Sequence, residues 1–299
     1  MRLGINTGFA VNRYPLPYQW LKVIGQDLDL RYVQVTADLI NPDLGEKIIN
    51  YYVTEINLFK KIYHVNVDSV MTGAFTRVNH LSHPAAIVRD HWKNWFKKLI
   101  DISVDIGANN VSSHFGILSY EDLNNESRHK FILEQTVDAW KELAEYGKSK
   151  GLKYLSWEPM SIAREYGETI DATRKIVELF KDSAIPFYLC LDVDHGDITS
   201  SNKDDTDYRK WIEAFADISP LIHIKQSLDD KGGHYPFIEE YNQKGKVNPA
   251  EFVETLKKSN ALEDILVLLE LSFKEREPID KNVLNYLKES TDYWGGWIK

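Results

Sequence analysis

The strongest constraint on this chain is a recurrence: short apolar runs appear along its whole length, each followed by a segment of helical periodicity. Eight runs can be read. They are "RLGIN" from Arg2, "RYVQV" from Arg31, "IYHVNV" from Ile62, "NNVSSH" ending at His114, "LKYLSWE" ending at Glu158, "PFYLCLD" ending at Asp192, "LIHIKQ" from Leu221 and "ILVLLE" ending at Glu270. Nearly continuous aliphatic strands are buried on both faces, the signature of a parallel sheet covered by helices. The intervening segments supply those helices. Val88, Trp92, Trp95, Leu99, Ile102 and Ile106 share one helical face, and Gly107 stops it. In "VNPAEFVETL", Asn248 is an N-cap, Pro249 takes the first helical position and Glu251 completes a capping box.

Eight strand–helix units in 299 residues favour an α/β fold of the closed (β/α)8 TIM-barrel kind, one catalytic domain spanning residues 1–299. An open doubly wound sheet is the alternative, because periodicity does not report closure. No Gly-rich dinucleotide fingerprint follows the first run, and no phosphate loop ending in Gly-Lys-Ser/Thr occurs. The longest irregular stretch, roughly 227–247, holds Gly232, Gly233 and Gly245 and is expected to be a functional loop. A net charge of -9 and pI near 5.5 argue against nucleic acid or an anionic membrane as partner. One cysteine, Cys190, excludes an intramolecular disulfide and fits a reducing, cytoplasmic setting. No run is long enough to span a bilayer, and "MRLGINTGF" reads as a first strand rather than a signal peptide.

Charged residues then intrude where a buried strand should have none. Glu158 ends the fifth run, Asp192 the sixth and Glu270 the eighth, while His223 lies on the seventh. Their separations are 34, 31 and 47 residues, each about one strand-plus-helix unit. Four adjacent strands thus bring one potential ligand each to the carboxyl end of the sheet, where such barrels carry their chemistry. Taken singly, a Glu at a strand end is more often a snorkelling or capping residue, and a strand His a hydrogen-bonded core residue. The conjunction is hard to obtain by accident. Two Glu, one Asp and one His form a mostly oxygen set suited to one divalent ion: Mn²⁺ first, with Mg²⁺ or Co²⁺ as alternatives. Three carboxylates so close need a cation, or one of them must stay protonated.

These segments, "WEPMS", "LDVDHGD", "HIKQS" and "LLELSF", resemble the xylose-isomerase-like barrel family of sugar isomerases and epimerases. The resemblance implies that Glu158, Asp192, His223 and Glu270 bind one divalent metal, that Glu158 and Glu270 are the acid/base pair, and that His195 contacts substrate. "GINTGFAVNRYP" and "WEPMSIAREYGETI" are most similar to the erythrulose-phosphate epimerase branch. That implies epimerisation of a short ketose or ketose phosphate, with aldose–ketose isomerisation on the same site as the alternative. Ketohexose epimerases tend to follow the first Glu with Asn-Arg and a further carboxylate. Here Ser161, Arg164 and Glu165 fill that region, which weakens a free-hexose reading.

Further substrate-contact candidates are His114, Lys225, Arg77, Asn6 and Glu165, with Lys231 as a phosphate candidate and Asp38 for sugar hydroxyls. Lys225 shares strand parity with His223, so it points to the same interior. "YWGGWIK" sets Trp294 and Trp297 near the chain end, expected to be exposed as a docking or homo-oligomer contact. Two other function classes are weighed. An apurinic-site endonuclease would need more ligands: a His ending the third strand and an Asp-x-His in the strand-seven loop, both lacking here. A non-catalytic sugar-binding barrel would have no use for both proton carriers.

Overall fold

The computed structural model describes residues 1–228, 232–274 and 280–298. Eight parallel strands close into a barrel: β1 (Arg2–Asn6), β2 (Tyr32–Thr36), β3 (Asn66–Met71), β4 (Asn110–His114), β5 (Tyr154–Glu158), β6 (Phe187–Asp192), β7 (Leu221–Ile224) and β8 (Leu266–Leu269). Closure is made where β1 pairs with both β2 and β8, Leu3 lying opposite Val267 and Ile5 opposite Val33. The expected TIM barrel is therefore the fold, and the open sheet is excluded.

Strand alternation sorts the side chains. Outward positions such as Ile5, Val35, Val111, Trp157, Leu189, Ile222 and Leu269 join the main apolar core beneath the helices. Inward positions form a different interior. On β6 to β8 it is aliphatic: Cys190, Leu221, Leu266 and Leu268 make a separate buried cluster. On β1 to β5 it is polar, with Asn6, Gln34, Ser69, Asn110 and Ser156 all buried. Gly4 keeps this interior compact, since a Cβ there would lie 2.7 Å from the Tyr32 carbonyl oxygen and 3.1 Å from Leu268.

The helix carrying the Trp95 face runs Ala86–Asp105, burying Trp95, Leu99 and Ile102, with Val88 and Trp92 half-buried. Each fully buried side chain of this size contributes about 1.5–3 kcal/mol of transfer free energy. Gly107, at φ +85°, ends it. Asn248 caps the helix Pro249–Lys258 by accepting from the Ala250 and Glu251 amides. The Glu251 carboxylate reaches to within 3.7 Å of Arg209.

Three expectations are corrected. The third strand does not begin at Ile62: that residue ends the helix Glu46–Ile62, His64 turns with φ +55°, and pairing starts at Asn66. The amphipathic helix simply continues through residues whose alternation also fits a strand. The stretch after β7 is not irregular throughout; Gln226–Leu228 and Gly232–Tyr235 pair as an antiparallel ribbon, followed by a helical turn at Glu239–Asn242. Trp294 is fully buried against Phe237 and Phe252, and only Trp297 is exposed. No helix among the described residues is long and apolar enough to cross a membrane.

Candidate active site

Glu158, Asp192 and Glu270 come together because they extend the inward parity of their strands. Glu270 is the next inward position after Leu266 and Leu268, held in register by its amide, which donates to the Ile224 carbonyl at 2.9 Å. His223 lies inward on β7, fully buried and paired across from Asp192. One ligand atom from each of Glu158, Asp192, His223 and Glu270 lies within 4.8 Å of all the others. His223 Nδ1 sits 3.1 Å from Glu158 Oε1, 3.6 Å from Glu270 Oε1 and 3.9 Å from Asp192 Oδ2.

The far side of that imidazole fixes its tautomer. Nε2 lies 2.7 Å from Gln34 Oε1, an oxygen that also accepts from Asn6 Nδ2 at 2.7 Å, while Gln34 Nε2 donates to Ser69 Oγ at 3.0 Å. The amide orientation makes Nε2 a donor, and Nδ1, facing three carboxylates, is the atom at which a bound cation would replace a proton. That arrangement fits a cation between them, with the second ring nitrogen donating to an outer partner as metal-ligating histidines do. Charge points the same way. Lys225 Nζ is buried between Asp192 Oδ2 at 2.7 Å and Glu270 Oε2 at 2.9 Å, so once the His223 proton is displaced, three carboxylates against one ammonium leave two negative charges for a divalent ion to balance.

Electrostatics follow from this packing. Burial alone would raise the Glu270 carboxyl, but Lys225, His223 and His234 outweigh it and hold it well below the usual range. Asp192 is lowered likewise, burial being outweighed by His195 and Lys225. Burial disfavours the Lys225 charge, yet Asp192, Glu270 and Glu158 keep its ammonium raised.

Above this cluster opens a cavity of about 560 Å³. Its walls include Asn6, Asp38, Arg77, His114, Glu158, His195, His234 and Glu270, but not Lys225, which is buried. His195 donates from Nδ1 to the Pro159 carbonyl at 2.9 Å and presents its ring to the cavity. His114 donates from Nε2 to the Val78 carbonyl at 2.8 Å, and its ring lies 4.1 Å from that of His80. Arg77 and Glu165 contact one another, joining the loops after β3 and β5. The Asp38 carboxylate accepts from the Phe75 amide at 3.1 Å and the Thr76 hydroxyl at 2.9 Å. Lys231 lies outside the described residues.

Two neighbours escaped the sequence reading. Gln34 had a usable signal, a polar residue at an inward position of an aliphatic strand, the same anomaly that exposes Glu270. His234, with Nδ1 3.4 Å from Glu270 Oε2, had none, because only the ribbon delivers it. The ribbon is pinned by Asp194, which accepts from the Gly233 amide at 2.8 Å and pairs with Lys246 at 2.9 Å. Gly232 has φ +59°, and a Cβ there would lie 2.9 Å from the Asp194 carboxylate.

The fold and the site together define a closed (β/α)8 barrel whose carboxyl end gathers a cluster of three carboxylates and one histidine that could hold a metal ion. Residues 26–290 match the model of the xylose isomerase-like TIM barrel family, and the chain belongs to that family. A D-erythrulose 1-phosphate 3-epimerase of Brucella abortus (strain 2308) is 39% identical over 100% of this chain and 96% of its own. Among solved structures, a Rhodospirillum rubrum protein provisionally named a xylose isomerase superposes with TM-score 0.91 at 24% identity, covering 100% of both chains. The D-psicose 3-epimerase of Clostridium cellulolyticum does so with TM-score 0.71 at 13% identity, also over 100% of both. The expected enzyme class, an isomerase, agrees with these names.

Proposed function

We propose that this enzyme is a divalent-metal-dependent epimerase of a short ketose phosphate of the erythrulose phosphate kind. The observation that carries the reading is the meeting of four ligand atoms, two of them from glutamates that also line the cavity. The similarity to the Brucella abortus enzyme supports the substrate class. Held by Glu158, Asp192, His223 and Glu270, a divalent ion, Mn²⁺ ahead of Mg²⁺ or Co²⁺, would polarise the ketose carbonyl as a Lewis acid.

The chain's own groups then handle the proton. The carbon acid beside a carbonyl is weaker than a carboxylic acid by on the order of ten pKa units, so roughly 13 kcal/mol must be offset by charge stabilisation around the developing enediolate. One glutamate removes the proton and the other returns one to the opposite face of the planar sugar, which inverts that carbon. Lys225 holds Asp192 and Glu270 in place, and Gln34 holds the His223 ring. His195 contacts sugar oxygens from the wall, with Asn6, His114, Arg77 and Glu165 contributing to the surrounding shell.

The test is incubation of the Mn²⁺-loaded protein with a panel of ketoses and ketose phosphates in D₂O, followed by NMR. Deuterium beside the carbonyl with inverted configuration supports the epimerase. A migrated carbonyl moves the assignment to aldose–ketose isomerisation, and no deuterium entry into any ketose sinks both.

A further inference from the structure

Among the described residues, three long cationic side chains line the cavity: Arg13, Arg77 and Lys274. They are not equivalent. The Arg77 guanidinium is neutralised by Glu165, whose side chain is 12% exposed. Arg13 lies in the loop after β1, its side chain 11% exposed, donating from Nε to Asp280 at 2.7 Å. Its Nη2 approaches the same carboxylate oxygen at 2.6 Å but is buried without an aligned acceptor. Lys274, in the loop after β8, is exposed and has no ion-pair partner among the described residues.

Barrel closure brings these two loops together. β1 and β8 are paired neighbours, and a Cβ on Gly8 would lie 3.8 Å from the Leu271 carbonyl. The Arg13 guanidinium lies 5.9 Å from the centre of the Phe273 ring, the residue before Lys274, and Ser272 lines the same wall. Among the described residues, two cations stand against the single exposed carboxylate of Asp280 on this stretch of wall, while the floor beside it is acidic.

We propose that Arg13 and Lys274, with the Ser272 hydroxyl beside them, form a subsite for the phosphate of a ketose phosphate. The guanidinium has a spare N–H for a phosphate oxygen and the ammonium supplies a point charge. The site sits next to Glu270, so an anchored phosphate orients the sugar across the two glutamates. This subsite rests on the epimerase reading of the same cavity, and it makes phosphorylated rather than free ketoses the substrates.

The test uses the full chain loaded with Mn²⁺, titrated calorimetrically with glycerol 3-phosphate and with glycerol. Wild type is expected to bind the phosphate ester at least about tenfold tighter. Lys274→Gln and Arg13→Gln should each lose about tenfold or more of that affinity, and Arg77→Gln less than about threefold. Because Lys274 is exposed, K274Q keeps the fold even if the Arg13 variant does not. The ratio of kcat/KM for erythrulose phosphate to that for erythrulose should fall about tenfold in K274Q. Equal binding of ester and glycerol by wild type, unchanged ester affinity in K274Q, or a loss confined to R77Q overturns the subsite. Ester binding through Lys274 with no exchange of any ketose proton keeps the subsite and defeats the epimerase reading.

Discussion

The two halves of the barrel interior solve different problems. Below the ligands on β6 to β8, Cys190, Leu221, Leu266 and Leu268 pack as an aliphatic plug. Across from them, β1 to β5 carry amides and hydroxyls linked by hydrogen bonds, from Asn6 through Gln34 to Ser69 and from Asn110 to Ser156 at 2.6 Å. The aliphatic half fixes strand positions and, by exclusion of water, makes every charge above it count for more. The polar half fixes direction, turning one imidazole so that its Nδ1 faces the carboxylates. A ligand set needs both, placement from packing and orientation from hydrogen bonds.

Substitutions can break that division of labour. The largest effect is expected at the two glutamates: Glu158→Gln or Glu270→Gln should lower deuterium exchange by about 10³-fold or more, since in the proposed mechanism each removes a proton carrier and a metal ligand. Full exchange in both variants would remove them from the acid/base role. Next, Gln34→Leu should weaken Mn²⁺ binding by about 10–100-fold in a metal titration, with little change in unfolding free energy beyond a lost buried hydrogen bond. The aliphatic half should respond the opposite way. Leu268→Ala is expected to cost about 2–5 kcal/mol in denaturant unfolding while leaving the metal constant of the folded protein within about threefold. If L268A and Q34L behaved alike in both assays, the two halves would not be distinct.

A smaller effect separates the site from its neighbour on β4. The adjacent His80 and His114 rings, tilted by 44°, are buried, and burial lowers both, His114 to about 3. A histidine lowered on folding binds its proton more readily when unfolded. Its contribution is therefore complete above the unfolded value near 6.5 and is lost as pH falls from there towards 3, by on the order of 1 kcal/mol per pH unit. His114→Asn should flatten that part of the stability–pH curve, as followed by thermal melts.

Much of this architecture could be read from the chain because burial leaves a mark in sequence. Parity made Glu270 visible after "ILVLL", and unit spacing aligned it with Glu158, Asp192 and His223. Where the reading failed, two physical options shared one pattern. Ile62, Tyr63 and Val65 suit a strand, yet the helix before them needed Ile62 for its own last turn. Trp294 looked exposed because it lies near the end of the chain, whereas the final helix folds it against Phe237 and Phe252. Gln34 and His234 act through partners on other strands, and pairings across the barrel have no local signature.

The account stands on one cation shared by four strands. The direct measurement is anomalous diffraction at the manganese edge from crystals of the Mn²⁺-loaded protein. A single strong peak about 2.1 Å from Glu158, Asp192, His223 Nδ1 and Glu270, with Gln34 accepting from Nε2, is the predicted result. A peak held elsewhere, or one that lacks His223 or either glutamate as a ligand, would contradict it.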